Sequence, residues 1–297
     1  MKPALSIVIF TVLSGGGLGL AAVLTVFAES LSRQHFAVAA VLAVTLTGGG
    51  LCASVFHLAN PKNAWRSLFR IRTSWLSREA ACAILFFTLF MPWALLHFYE
   101  KPVPFLRAMV SVAAILTVFC TAMIYQSLKP ISAWHHPQTS LAYLTFAVQS
   151  GALIIATIAA FDGVAQKPAV MAMCATVVAA VIKILYYWRI GKAQDIRVGR
   201  AMGFSRAGAK LLETGHGEKT FLTREFIFHV PANQLRVLRG GAFLFYTIAP
   251  VAGAAFAAKG SALVSVVAVL FLFAGLLAER WLFFAEARHA VRAYHGS

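Results

Sequence analysis

His57 and Glu79 flank a short polar connection between two long apolar runs. A histidine can donate to a carbonyl oxygen, and a carboxylate can exchange protons with water. Together they supply what a quinone headgroup requires: one group to hold an oxygen and another to move a proton. A hairpin of two spans would bring both to the same depth. Arg70 and Arg72 lie between them and can bias the local potential. Ser77, two residues before Glu79, suits a helix N-cap. A plainer reading stays open: His57 bonds a helix-end carbonyl, and Glu79 sits in a first turn because the helix dipole favours a carboxylate there.

Glu279 and Arg280 fall deep in the last apolar run. Each buried charge costs roughly 2.5–3.5 kcal/mol at a bilayer centre even on the cautious scale. They are therefore secondary candidates for the site, with a structural contact as the alternative. Consecutive residues diverge by about 100° on a helix, so the two need not pair. Lys183, near the end of another run, is expected to snorkel to the interface. Cys52, Cys82, Cys120 and Cys174 lie inside apolar runs without C-x-x-C spacing, and read as buried small residues. His57 and His97 stand near span ends on opposite faces, which gives no facing pair for a haem. Neither a metal site nor a nucleotide motif is expected.

The elements that must position these residues are membrane spans. Of 297 residues 60% are hydrophobic and 12% charged, against about 45–50% and about 25% in soluble domains. Apolar runs long enough to cross a bilayer recur at 4–28, 36–59, 80–98, 105–126, 140–161, 168–190, 240–258 and 262–284. The fold expected is all-α and integral to the membrane: one polytopic domain over 1–297, a bundle of about eight transmembrane helices. The N-terminal run is too long for a signal peptide's apolar region and reads as a retained helix. Glycines at 15–17 and 48–50 would let the first two spans approach closely.

Two connections differ from the rest. In residues 62–72, KNAWRSLFRIR, Lys62, Arg66 and Arg70 recur at helical spacing opposite Trp65, Leu68 and Phe69. That predicts a short amphipathic helix at the lipid headgroups. Residues 191–239 form a basic excursion that suits a docking surface. The net charge of +16 resides mainly in such connections and so points to the membrane surface, not to nucleic acid. With 191–239 left out, nine Lys and Arg share the side of the termini. Arg33, Lys101, Arg107, Lys167 and Lys259 face the other side. The positive-inside rule then places both termini in the cytoplasm, in a bacterial inner membrane. Eight spans with a few buried charges would also allow a secondary transporter, but no inverted repeat is visible.

The stretch from His57 to Glu79, HLANPKNAWRSLFRIRTSWLSRE, resembles the signature of the dimethyl sulfoxide reductase anchor-subunit family. The skeleton H-L-x-x-P-x-x-A-x-x-S-L-x-R followed by S-x-L-S-x-E is carried by His57, Leu58, Pro61, Ala64, Ser67, Leu68, Arg70, Ser74, Leu76, Ser77 and Glu79. The last span fits more loosely, through Arg280 and Phe283. The resemblance implies a three-subunit molybdenum enzyme. One partner would carry molybdopterin and another iron–sulfur clusters, while this chain exchanges electrons with menaquinone or ubiquinone and holds no haem. It also implies that His57 and Glu79 form the quinone site. Two branches fit: reduction of dimethyl sulfoxide or related oxides with menaquinol, and oxidation of cytoplasmic sulfite into the quinone pool. The cytoplasmic placement of the signature favours the second.

Overall fold

A computed structural model describes residues 3–56, 61–193 and 230–289. Among these, eight helices are long and apolar enough to cross a membrane. In chain order they are α1 (Leu5–Phe27), α2 (Arg33–Val55), α3 (Trp75–Phe98), α4 (Pro104–Gln126), α5 (Pro137–Phe161), α6 (Gln166–Ala193), α7 (Ala232–Ala258) and α8 (Ala262–Ala285). His57, residues 194–229 and residues 290–297 lie outside the described residues.

α1 and α5 form the centre, buried along most of their length. Around them stand the hairpins α3–α4 and α7–α8, with α2 beside α1 and α6 beside α5. The outer helices turn Val41, Ile84, Val181 and Leu270 outward, as a bundle bathed in lipid tails requires. The central crossing depends on missing side chains. A Cβ on Gly19 would lie 1.8 Å from the Ala147 carbonyl oxygen, and one on Gly151 would lie 2.3 Å from that of Gly19. Of the expected glycine contacts, Gly17 and Gly50 do sit where α1 meets α2. Gly15, Gly48 and Gly49 have nothing within 4 Å.

Helix ends follow local chemistry. Pro104 and Pro137 open α4 and α5, where a missing N–H costs nothing. Pro250 lies inside α7 and cannot donate to the carbonyl of Tyr246. That carbonyl accepts from Gln149 Nε2 on α5 at 2.6 Å instead. In lipid such a freed carbonyl must find a partner within the protein.

Four expectations change. α7 begins at Ala232 and α6 runs to Ala193, so both ends of the supposed excursion are helix. Arg236 and Arg239 make that first stretch of α7 too polar to register as a span. The connection after α2 is a 3-10 helix, Pro61–Arg70, not an α-helix. With three residues per turn, an i, i+4 spacing no longer shares one face. Trp65, Arg66, Phe69 and Arg70 are all exposed. Cys52 and Cys174 are exposed on the apolar exterior; Cys120 is buried. Lys183 does not snorkel: it is buried and ion-paired.

Candidate functional site

Glu79 stands one turn inside α3, not at its opening. The cap is Ser74, whose Oγ accepts from the Ser77 backbone N–H at 3.4 Å. Ser77 is therefore a buried first-turn residue and not the cap. Glu79, Ala83, Phe86, Phe90 and Trp93 make the buried stripe of α3. This stripe packs on α4, where Cys82 and Cys120 sulfurs lie 3.9 Å apart and Trp75 meets Phe119 edge-on.

Glu79 is 4% exposed. The Thr121 hydroxyl on α4 donates to its Oε1, and also lies 3.1 Å from the Thr117 carbonyl oxygen. A hydroxyl has one hydrogen and two lone pairs. With Glu79 ionised, Thr121 donates to the carboxylate. With Glu79 protonated, Thr121 can accept from it and donate to the Thr117 carbonyl. The side chain keeps a partner in both states, as a proton-exchanging carboxyl in a buried place requires.

Arg70 and Arg72 are both exposed in the turn before α3. Their backbones fix that turn. The Arg70 carbonyl accepts from Thr73 and Ser74 N–H groups. The Arg72 carbonyl accepts from Arg78 Nη2 at 2.9 Å, while Arg78 Nε donates to the Ile71 carbonyl. The turn, the cap and Glu79 thus form one local unit at the end of α3 nearest the connection. His57, its proposed companion, lies outside the described residues.

Glu279 and Arg280 belong to a second cluster. Arg280 Nε donates to Glu279 Oε2, so the neighbours do pair. Lys183 Nζ on α6 lies 2.6 Å from Glu279 Oε1. All three are essentially buried. The Arg280 guanidinium lies over the Tyr143 ring at 4.1 Å and near Phe283 at 5.0 Å. The cavity beside Arg280, among α1, α5 and α8, is about 20 Å³, room for a single water. This cluster braces α6 against α8. At the same end, Arg239 on α7 meets Glu286 at 2.6 Å, and Trp134 Nε1 donates to the Phe283 carbonyl at 2.9 Å.

Sequence reasoning overlooked Thr121 and misplaced Lys183. For Lys183 a signal existed: with Glu279 and Arg280 it completes a set of charges inside spans, and such charges seek one another. For Thr121 no pattern in a single apolar run reveals which neighbour it meets. Among the described residues no three His, Cys, Asp or Glu side chains are grouped as metal ligands.

The family model for the DMSO reductase anchor subunit (DmsC) matches residues 1–285. Over its full length the chain is 30% identical to the C subunit of the sulfite dehydrogenase of Allochromatium vinosum, covering 99% of that protein. It is 29% identical to the C chain of the anaerobic dimethyl sulfoxide reductase of Escherichia coli, over 47% of this chain and 52% of the relative. A third relative, the YnfH chain of an anaerobic dimethyl sulfoxide reductase of Escherichia coli, is 33% identical over 38% of this chain and 41% of its own length. No solved structure matches the chain.

Proposed function

The chain belongs to the dimethyl sulfoxide reductase anchor-subunit family, and from that premise we propose that it passes electrons from cytoplasmic sulfite oxidation into the quinone pool. Membership makes it a multi-pass membrane anchor of an oxidoreductase complex. In the proposed complex, an iron–sulfur subunit docks on the cytoplasmic face and a molybdopterin subunit oxidises the substrate. Menaquinone or ubiquinone is reduced at the edge of this chain.

The observation that carries the sulfite reading is the full-length similarity to a sulfite dehydrogenase subunit, against half-length similarity to the dimethyl sulfoxide reductase chains. The positive-inside charge bias supports the same orientation, with both termini, residues 60–79 and residues 191–239 cytoplasmic. Those partial matches sustain a second reading, in which the chain oxidises menaquinol for an S-oxide or N-oxide reductase. Family membership leaves a secondary transporter without support.

Reducing a quinone by two electrons takes up two protons. In the proposed site His57 holds one quinone oxygen and Glu79 relays a proton. The Thr121 hydroxyl gives Glu79 a partner before and after transfer. Ser77 and the Ser74 cap fix the start of α3, and Arg70 and Arg72 keep the local potential positive. Exposed Trp65 and Phe69 on the 3-10 helix offer an apolar approach for a ring arriving from the lipid. Glu279 and Arg280, bound to each other and to Lys183, take the supporting part.

The test is purification of the tagged full-length chain under mild detergent. Copurifying iron–sulfur and molybdenum subunits, with sulfite-driven reduction of a soluble quinone analogue, are the expected result. Reporter fusions at Ser297 and Lys259 fix the orientation. Turnover of S-oxides with quinol and none of sulfite would select the second reading, and a chain that purifies alone and carries solute would end both.

A further inference from the structure

The opposite end of α3 carries a second feature that the quinone reading does not use. A cavity of about 360 Å³ lies between the α1–α2 turn and the α3–α4 turn, with Glu29, Arg33, His97 and Glu100 on its walls. It adjoins a groove of about 260 Å³ between α2 and α3, sharing Phe36 and Phe98 with it. The groove is apolar, walled by Ala40, Val44, Phe90 and Ala94. It runs from Phe36 to Thr45 along α2, about 14 Å at 1.5 Å per residue. A polar mouth thus opens onto an apolar slot that descends towards the bilayer centre.

The charges at the mouth are arranged for a ligand with both signs. Glu29 is taken by Arg107 at 2.5 Å. Arg33 and Glu100 have no ion-pair partner among the described residues. The Arg33 guanidinium lies 4.1 Å from the centre of the Phe98 ring, at the join of cavity and groove. Glu100 is exposed and held at φ +59°, the only non-glycine residue with positive φ among those described. It ends α3 in the turn where Glu100 N–H bonds the His97 carbonyl and Lys101 N–H bonds that of Leu96. α5 and α7 end on the same face with Gly163 and Gly260 in the equivalent place, the residue that fits it without strain. At α3 the chain accepts that strain and sets a carboxylate at the cavity rim.

We propose that this cavity and groove bind one phospholipid with a zwitterionic aminoethyl phosphate headgroup, its phosphate on Arg33, its ammonium on Glu100 and one acyl chain between α2 and α3. α2 and α3 otherwise touch little, so the acyl chain would fill their seam. A quinone fits less well. Its neutral ring would leave both charges unpaired, and His97 stands 18 residues beyond Glu79, about 27 Å along the helix, away from the redox site. A purely anionic headgroup would satisfy Arg33 and meet Glu100 as a like charge.

The experiment is native mass spectrometry of the delipidated full-length chain with phosphatidylethanolamine, phosphatidylglycerol and ubiquinone. The expected result is one phosphatidylethanolamine retained at least tenfold over phosphatidylglycerol. Glu100→Gln should erase that preference, and Arg33→Gln should release both lipids. Both residues are exposed, so the variants should fold as the parent does. Equal retention of the two lipids by the parent, a preference untouched by either variant, or a ubiquinone displaced by Arg33→Gln would each overturn the proposal. Quinone turnover is a separate readout, so failure here leaves the redox reading standing.

Discussion

Lys183 on α6 and Glu279 on α8 meet at 2.6 Å with both side chains out of contact with solvent, and Arg280 shares the same carboxylate. Two cations thus face one anion inside the membrane. The variants should rank accordingly. Glu279→Gln leaves two unmatched buried cations, and losing one partner of a buried pair costs about 3–5 kcal/mol. Lys183→Met leaves a neutral Glu279–Arg280 pair and fills the space with an apolar side chain, so it should cost clearly less. Thermal unfolding of the purified variants in detergent measures the order. A reversed order would show that Lys183 and not Glu279 holds the cluster together, and equal losses would show that neither residue dominates it.

The α1–α5 crossing makes a sharper steric prediction. Gly19 and Gly151 each face backbone of the other helix at distances no Cβ can share. Gly151→Ala should force the central helices apart and lower folded yield strongly. Gly49→Ala, with open space around it, should be neutral or slightly stabilising, because alanine favours helix over glycine by about 0.8–1.0 kcal/mol. Size-exclusion profiles of the two variants give the comparison.

Spans were legible because lipid demands long apolar runs, and these leave an unmistakable mark in the sequence. Helix starts at polar edges were not. α7 begins at Ala232 with Arg236 and Arg239 in its first turns, where hydropathy is low but helix geometry already holds. Ser74 rather than Ser77 caps α3: both suit a cap, and the extended backbone at Ser74, φ −121°, decides. Glu79 was legible as a residue type at a span end. Its burial against Thr121 was not, because which face of α3 meets α4 depends on packing across forty residues of sequence. The Lys183–Glu279 pair differs: three charges inside apolar spans, Lys183, Glu279 and Arg280, already imply a partnership, though spacing within one helix does not say which helix lies opposite.

Asp162, just past the end of α5, carries a pH-dependent contribution. Burial pushes its carboxyl up, but the Ser32 backbone N–H and His35 outweigh that and hold it below its ordinary value of 3.8. Asp162 Oδ1 lies 2.7 Å from His35 Nδ1, and Ser32 N–H donates to Oδ2 at 2.8 Å. A carboxyl lowered on folding stabilises the protein above its unfolded value, and that gain is lost as pH falls through the folded one. Asp162→Asn should therefore lower stability at pH 7 by at most about 1 kcal/mol, given partial solvent screening. The gap between parent and variant should close below pH 3.8. A gap that persists unchanged to about pH 3 would place the stabilisation elsewhere.

At the redox site, loss of one acid–base group should cost about 10²–10⁴ in rate. His57→Ala should remove quinone-coupled electron transfer while the soluble subunits still reduce an artificial dye. Glu79→Gln keeps the shape of the side chain but not its proton, so transfer should slow and its pH dependence should shift. Thr121→Val is the discriminating variant. It keeps the volume of residue 121 and deletes the hydroxyl that bonds Glu79. A hydrogen bond to a charged group is worth about 1.5–3 kcal/mol, so quinone turnover should fall roughly ten- to a hundredfold. The pH profile should move as well, because Glu79 would lose its partner in both protonation states. If Thr121→Val changes stability but leaves the pH profile where it was, the bond is structural and Thr121 takes no part in tuning Glu79.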